Sequence, residues 1–341
     1  MRHDATKGIC LAAGALAAAL AAATAWGAPP PAATQPKVPG AQPAPAEAPL
    51  RFAPKARRMS TYTFNGRFEI RNREVTFEAP EAYQDGFNYW AGRMKGQKRS
   101  EVYQIVTMTQ DVDGSGLVPF RRSVRRFNLE FEKQGQVYAA MGSLERDVAS
   151  LVWEGTLDPL GNLKEMRKVG GRENPEIEQL AIPEIERVFP VVEGARDLRI
   201  GEGFKEERIV RLPTKLNIAG LEDVTVKVTR DYVLKSVAGP LAIFEVKVTY
   251  GSDPAYQAKA DSTTCAISGG GAGEATFEVK RGVFLVSRVP SSMRIDIEAP
   301  LRPLPGHPET AVTALGKSHI DLDLILFGEQ KVVRTWGEEE D

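Results

Sequence analysis

The sequence has few of the residues from which disulfide frameworks and metal sites are built. It contains two cysteines and three histidines among 341 residues. Cys10 lies within a predicted export signal, so Cys265 would be the only cysteine of the mature chain, which excludes an intrachain disulfide. A domain of this length is expected to bury enough surface to be stable without cross-links.

Recognisable catalytic motifs are also missing. The chain has no G-x-S-x-G, no H-E-x-x-H and no paired-cysteine motif. If His3 leaves with the signal, a nucleophile–His–carboxylate arrangement could use only His307 or His319. The formal net charge of -1 gives no reason to expect nucleic acid as a partner. We predict a protein that is not an enzyme and that uses no cofactor.

The amino terminus has the composition of a secretory signal peptide. Arg2 and Lys7 provide a charged start, residues 8–26 carry no charge, and an Ala-Thr-Ala tripeptide ends at Ala25. We predict a signal peptide at 1–25 and an exported protein, in the periplasm or on the outer surface of a bacterium. The alternative is an uncleaved anchor, although an alanine-rich run inserts weakly into a bilayer. Otherwise the protein would be peripheral to a membrane at most.

Residues 26–58 are rich in proline and alanine. Nine prolines lie between Pro29 and Pro54, and each removes a backbone donor and restricts the residue before it. With few large apolar side chains, the segment cannot offset the entropy lost on ordering. We predict a disordered, extended linker, followed by a β-rich domain at 59–341.

Alternating apolar and polar residues predict β-strands through most of this domain. Phe68 and Ile70 alternate with charged residues, and Val226 and Val228 alternate with Lys and Thr. The turn residues Asp158–Gly161 lie between two apolar runs and indicate a hairpin. The predicted fold class is mainly β: a large curved antiparallel sheet, an open barrel or a sandwich.

One or two short helices are predicted within the β domain. Pro80 could open the first, because proline is favoured at the start of a helix. Four large apolar residues then fall on one helical face: Tyr83, Phe87, Trp90 and Met94. A second helical segment, at about 174–190, would connect two possible lobes, at 59–170 and 195–341, of one extended antiparallel structure.

The best constellation of titratable residues is His319, Asp321 and Asp323. Strand alternation puts the three on one face, with aliphatic residues between them on the other. A histidine and two carboxylates could bind a divalent cation or hold a proton. The alternative interpretation is the solvated face of an amphipathic strand, which shows the same alternation.

The densest basic cluster consists of Arg121, Arg122, Arg125 and Arg126. Its members divide between the two faces of a strand, so part of the cluster could mark a sheet edge, where charge blocks aggregation. The functional alternative is contact with an anionic surface, such as a headgroup or a polysaccharide.

A glycine-rich run extends from Ser268 to Glu274. It lacks the Lys-Ser/Thr pair of a phosphate-binding loop. It predicts either a flexible loop or a close approach of strands.

Several turn-rich segments occur together in a familiar order: Thr156–Leu163, Val188–Pro190, Leu198–Phe204 and Glu274–Arg288. In this order they resemble uncharacterised secreted β-rich proteins of Gram-negative-type bacteria. More distantly, the chain looks like the curved-sheet carriers of periplasmic lipoproteins and lipids. The resemblance implies a fold type and a compartment, and it assigns no catalytic or ligand-binding residue.

Three functions are compatible with these observations. The first is a non-catalytic envelope protein that binds an apolar, lipid-like or lipoprotein-like ligand in the concavity of its sheet. The second is a structural or assembly subunit that pairs with an envelope protein partner through a strand edge. The third is a surface hydrolase, for which His319, Asp321 and Asp323 are the only nameable acid–base group.

Overall fold

The computed structural model describes residues 49–139, 142–172, 188–211, 225–257, 264–301 and 315–335. The predicted signal peptide, residues 26–48 of the predicted linker, His307 and most of the predicted helical connector lie outside these ranges. Within them, no helix is long and apolar enough to cross a bilayer.

Long strands dominate the described residues. In chain order the strands are β1 (Leu50–Phe52), β2 (Ser60–Glu78), β3 (Lys98–Thr109), β4 (Val118–Lys133), β5 (Gln136–Ala139), β6 (Val152–Leu157), β7 (Leu163–Gly170), β8 (Arg196–Leu198), β9 (Gly203–Arg211), β10 (Thr225–Ala238), β11 (Leu241–Ser252), β12 (Thr264–Glu278), β13 (Val283–Pro300) and β14 (Leu315–Thr335). The helices are α1 (Glu81–Met94), α2 (Gly142–Ala149) and α3 (Pro254–Gln257).

Twelve of these strands form one antiparallel sheet, in the order β7–β6–β4–β3–β2–β14–β13–β12–β11–β10–β9, with β5 paired to β4. β1 and β8 form a separate two-stranded sheet. Within the described residues β7 and β9 lie at opposite edges and do not pair, so the large sheet is open. The predicted mainly β class with a large antiparallel sheet is confirmed.

The large sheet has two halves. β2–β7 form one half and β9–β14 form the other, apart from the separately paired β8. The halves join where β14 pairs with β2 along almost its whole length, from Ser60 to Glu78. The last strand therefore returns to the first long strand of the domain. Local periodicity cannot show this pairing, because the two partners lie at opposite ends of the domain.

The sheet bends toward the face that carries Phe64, Phe244 and Phe277, called the inner face below. Tyr232 on β10 and Phe284 on β13 have ring centroids 6.1 Å apart. Three inter-strand spacings separate β10 from β13, which is about 14 Å in a flat sheet. Side chains from these strands meet because the sheet is curved, with the inner face on its concave side.

The glycine run lies in the middle of β12, so the flexible-loop interpretation of this segment was wrong. A Cβ atom at Gly271 would lie 2.5 Å from the Cα atom of Ser291 and still closer to the carbonyl oxygen of Pro290. Regular pairing between β12 and β13 is also interrupted between Gly271 and Glu274. The glycines permit a close approach of strand backbones, which was the other interpretation of this run.

The helix predicted after Pro80 is confirmed as α1. Pro80 is its N-cap residue and Glu81 begins the helix. Tyr83 and Met94, from the predicted apolar face, are buried, and Met94 joins the main hydrophobic core. The helix ends beside β2, where the side-chain amide of Asn72 donates a hydrogen bond to the Met94 carbonyl at 3.1 Å.

The end of the predicted linker belongs to the folded domain. Leu50–Phe52 pairs with Arg196–Leu198, and Phe52 is completely buried. Lys55 N–H donates to the Gly282 carbonyl at 2.8 Å, and Ala56 N–H donates to the Pro159 carbonyl at 2.9 Å. Proline content alone predicts disorder here. In the folded protein, Leu50 and Phe52 are buried against the concave apolar face, and this burial stabilises the segment.

Candidate functional site

The inner face of the sheet is a continuous apolar surface. Each strand contributes alternate residues to it, as the period of a strand requires. Fully or almost fully buried members of this surface come from both halves of the sheet: Ile70, Ile105, Leu129, Val226, Phe244, Val246, Phe277, Ile295 and Leu322. A surface of this kind must be covered by another part of the protein, by a ligand or by a partner.

The first cover is the segment 49–58. Phe52 lies at the centre of an aromatic cluster, with ring-centroid distances of 5.0 Å to Phe204, 5.4 Å to Phe244, 4.7 Å to Phe277 and 6.1 Å to Phe284. These four partners come from three strands of the large sheet's inner face and from its edge strand β9. Phe52 therefore fills the concavity of the C-terminal half.

The second cover is the segment 188–192. The ring of Phe189 lies 6.0 Å from Phe64 and 6.2 Å from Phe284, so it bridges the two halves of the sheet. Val192 N–H donates to the side-chain oxygen of Asn162 at 2.9 Å, and the amide of Asn162 donates back to the Val192 carbonyl at 2.9 Å. Asn162 follows the predicted Asp158–Gly161 turn, whose hairpin between β6 and β7 is confirmed.

A cavity of about 90 Å³ lies beside the two covers. Its walls come from the segments 54–57, 160–162, 189–192 and 282–284, together with single residues of the long strands. A water molecule needs only about 10–15 Å³ of such space. The cavity therefore has room for a group of several heavy atoms.

The cavity has a positive wall. Lys55, Arg57 and Arg122 line it, and no aspartate or glutamate is among its lining residues. The remaining polar lining side chains are those of Tyr62, Asn162 and Gln330, and the other wall residues are mostly apolar. This charge distribution favours an anion with an apolar environment on one side.

Arg57 is the unusual member of this wall. Its guanidinium lies 4.8 Å from the centre of the Tyr62 ring. All three guanidinium nitrogens are shielded from solvent and have no hydrogen-bond partner among the residues that the structure describes. Burial lowers the pKa of Arg57, and the carboxylate of Glu278 acts in the opposite direction. Arginine nevertheless stays charged in proteins. The cavity wall therefore includes a buried cation whose hydrogen-bond donors are unused.

The predicted basic cluster divides between the two faces of β4. Arg122 is 3% exposed and lies on the inner face, with its guanidinium 4.7 Å from the Phe120 ring centre. Arg121, Arg125 and Arg126 are exposed. Arg121 pairs with Glu154 at 3.1 Å across β6. β6 pairs with β4 only over Val118–Ser123, and β5 only over Glu130–Lys133, so within the described residues the stretch with Arg125 and Arg126 pairs with a strand on one side alone.

His319, Asp321 and Asp323 share one face of β14, on the outer side of the sheet. Asp321 accepts two hydrogen bonds from Arg294, at 3.0 and 3.1 Å, and Asp323 lies 3.1 Å from Arg73. His319 Nδ1 lies 2.5 Å from Asp296. The arginines neutralise the carboxylates that a cation would need, and no metal-binding group of three or more His, Cys, Asp or Glu residues occurs in the described part of the chain.

Asp321 should make the stability of the protein depend on acid pH. Its two hydrogen bonds from Arg294 lower the pKa of its carboxyl group. A lowered folded-state pKa adds stability above the unfolded value, near 3.9, and this stability is lost as the pH falls through the folded-state pKa. Asp321→Asn should therefore lower the urea midpoint more at pH 7 than at pH 2.5. Asp323→Asn, whose partner Arg73 is exposed, is the control and should change the urea midpoint little at pH 7.

Two further groups of buried charges on the inner face are paired internally. Glu101 contacts Arg99 and accepts a hydrogen bond from the Tyr103 hydroxyl. In the other half, Glu206 contacts Arg208 and accepts a hydrogen bond from Val191 N–H at 3.1 Å. These groups hold strands and the second cover in place, because each buried charge has its compensating partner.

Cys265 should be unreactive in the native protein. It is 2% exposed, and burial raises the pKa of its thiol to about 12. The thiolate is the reactive form, so it is scarce at pH 8. In a Cys10→Ser chain, we expect no labelling by iodoacetamide at pH 8 over an hour and complete labelling in denaturant. Rapid native labelling would contradict the burial of this residue.

The comparisons with known proteins assign no family. No family model matches the chain, and no curated protein matches it. Among solved structures, the outer membrane protein OprG from Pseudomonas aeruginosa is 8% identical, with a TM-score of 0.21, over 82% of this chain and 99% of that one. The InvG secretin domain β-barrel from the Salmonella SPI-1 injectisome is 12% identical, with a TM-score of 0.17, over 82% and 65%. Both likenesses are weak, and neither supports an argument about function.

Apart from Arg122, sequence reasoning missed the charged and polar residues that line the cavity. Arg57 lies within the predicted linker, and Asn162 and Gln330 belong to distant hairpins. One local signal was available: between Leu50 and Met59 the proline- and alanine-rich composition gives way to leucine, phenylalanine, lysine and arginine. That change marks the beginning of the folded domain about nine residues before the predicted boundary at residue 59.

Proposed function

We propose that this chain is an exported, non-catalytic protein of the bacterial envelope that binds an apolar, lipid-like ligand on the concave face of its sheet. The observation that carries the proposal is the way in which this face is covered. In the described part of the chain, no second large sheet lies over it. Its cover consists of the two-stranded β1–β8 sheet, the segment 188–192 and single residues of α1 and α2.

The covers are attached by few backbone hydrogen bonds. β1 pairs with β8 over three residues, and the rest of the first cover is held by single bonds at Lys55 and Ala56. Elements with few backbone bonds open at lower free energy than the central strands of a sheet. Movement of the covers would expose the aromatic surface around Phe204, Phe244 and Phe277, which provides the apolar area that a lipid chain needs.

Native mass spectrometry of the exported chain tests this proposal. We expect a mass excess that disappears on denaturation and that extracts into organic solvent. The control is the same chain refolded from denaturant, which should have the bare mass and regain the excess after incubation with a bacterial lipid extract. A bare mass in the exported sample, together with no uptake by the refolded chain, would refute ligand binding.

The second candidate function is assembly with an envelope protein partner, and the edge strand β9 supports it. Within the described residues β9 pairs only with β10, and its Ile209 is 54% exposed. Chemical cross-linking in intact cells should capture a stoichiometric partner through β9 if this function is correct. An Ile209→Lys variant should then lose that cross-link.

A further inference from the structure

We propose that the cavity beside Arg57 binds an anionic group, a carboxylate or a phosphate. The inference deepens the proposed function, because it assigns chemistry to one end of the ligand, and it rests on that function for the apolar part. The cavity of about 90 Å³ is lined by Lys55, Arg57 and Arg122 and by no acidic residue.

The first argument is the unused hydrogen-bonding capacity of Arg57. A guanidinium has five N–H donors arranged to match a carboxylate or a phosphate in a bidentate manner. Leaving buried donors unpaired is costly, and natural proteins nearly always pair them. In the described residues, the Arg57 nitrogens have no hydrogen-bond partner and are shielded from solvent. An anionic ligand would supply the missing acceptors.

The second argument is that Glu278, the carboxylate whose charge acts on Arg57, is already engaged. Glu278 contributes to the electrostatic environment of Arg57 but does not line the cavity. Its two oxygens accept hydrogen bonds from Arg281, at 3.2 and 3.3 Å. Glu278 therefore acts on Arg57 through its charge but leaves the hydrogen-bond donors of the Arg57 guanidinium unused.

The third argument is the position of the cavity between a polar and an apolar wall. Leu157, Phe189 and Phe284 line it together with the cations, and Phe189 and Phe284 continue into the aromatic cluster under the covers. An amphiphile could therefore place its charged end at Arg57 and its apolar part along the inner face. A free anion could occupy the same cavity without a chain.

Calorimetric titration of the full chain with three probes separates these cases. The probes are laurate, dodecanol and inorganic phosphate, and the variants are Arg57→Gln and, as the matched control, the exposed neighbour Arg58→Gln. We expect laurate to bind at least about 10-fold more tightly than dodecanol, since hydrogen bonds to charged groups have this magnitude. Arg57→Gln should abolish the difference and leave dodecanol binding unchanged, whereas Arg58→Gln should preserve it.

The remaining outcomes distinguish failure of the inference from failure of the proposed function. Equal binding of laurate and dodecanol, unaffected by Arg57→Gln, overturns the anionic site and retains the apolar ligand. Binding of phosphate that depends on Arg57, with no binding of either amphiphile, supports the site with a free anion as its source and rejects the lipid-like ligand. Absence of binding by all three probes overturns both.

A stability measurement guards against a variant that merely fails to fold. Arg57→Met removes an unpaired buried charge at similar volume. Its urea midpoint, in a buffer without phosphate or carboxylates, should therefore be no lower than that of the wild type. A clearly lower midpoint would mean that Arg57 serves the fold, and it would overturn the inference.

Discussion

Phe52→Ala should lower the free energy of unfolding by about 3–5 kcal/mol, the range for removing a buried phenylalanine side chain. Phe52 is completely buried and contacts the rings of Phe204, Phe244, Phe277 and Phe284. Its removal would leave a cavity in the middle of the aromatic cluster. The strands β11, β12 and β13 are hydrogen-bonded on both sides and could not collapse to fill it. Equilibrium urea denaturation, followed by intrinsic fluorescence, measures the change.

Arg51→Ala is the matched control for this substitution. Arg51 is the neighbouring residue on β1, it is exposed, and its pairing with Asp197 at 3.1 Å lies on the surface. Surface ion pairs contribute about 0–1 kcal/mol, so the control should change the stability little. If Phe52→Ala were as mild as Arg51→Ala, the segment 49–58 would not be part of the folded domain in solution, and the predicted linker would extend to residue 58 after all.

Gly271→Val should be comparably destabilising, by about 3 kcal/mol, the upper end of the usual range for overpacking. A side chain at this position meets the backbone of β13 at Pro290 and Ser291 rather than the end of a flexible side chain. This part of β13 is held by β14, with Pro290 opposite Ile325 and Ser291 opposite Leu324, so it cannot move aside without disturbing that pairing. Thermal and urea unfolding of the purified variant would measure the loss.

Gly251→Val in the adjacent strand β11 is the control. A Cβ atom at Gly251 has no neighbouring atom within 4 Å, and valine is favoured in strands. This variant should be neutral or slightly stabilising. Equal loss of stability in both variants would mean that the effect comes from replacing a strand glycine as such, and that the close approach of β12 and β13 is not the cause.

The two predictions test different aspects of the curved sheet. Phe52→Ala tests whether Phe52 fills the concave face. Gly271→Val tests whether β12 and β13 need a glycine in order to approach each other closely. If both hold, the curvature and its cover form one cooperative unit. A ligand on the inner face would then have to move the cover rather than deform the sheet, which agrees with the few hydrogen bonds that hold residues 49–58.

Most of the strands could be predicted because apolar and polar residues alternate along a strand that is buried on one face. Phe68 and Ile70, and Val226 and Val228, lie in strands that the structure confirms. The helix after Pro80 and the hairpin at Asp158–Gly161 were also predictable, because capping, helical spacing and turn chemistry are local. The order of the strands in the sheet was not predictable, because it depends on pairing between distant residues, such as those of β2 and β14.

The candidate sites show the same division. The sequence placed His319, Asp321 and Asp323 on one face correctly, but it could not show that Arg294 and Arg73 engage the two carboxylates from neighbouring strands. It identified Arg122 within a basic cluster, but not that this arginine alone turns inward to line a cavity with Arg57. The sheet places the neighbouring arginines of the basic cluster on opposite faces. It also brings Arg57 and Arg122, which are distant in the sequence, to the wall of one cavity.

The sequence by itself determined the class of the fold, the faces of its strands, and its first helix, because periods of 2 and 3.6 residues and the chemistry of turns act over a few neighbours. Only the tertiary structure decided the curvature of the sheet, the burial of Phe52 and the cationic wall of the cavity. These features depend on which distant strands pair and on how closely their backbones approach. Such long-range pairing is determined by the free energy of the complete folded core, which no local pattern of residues contains.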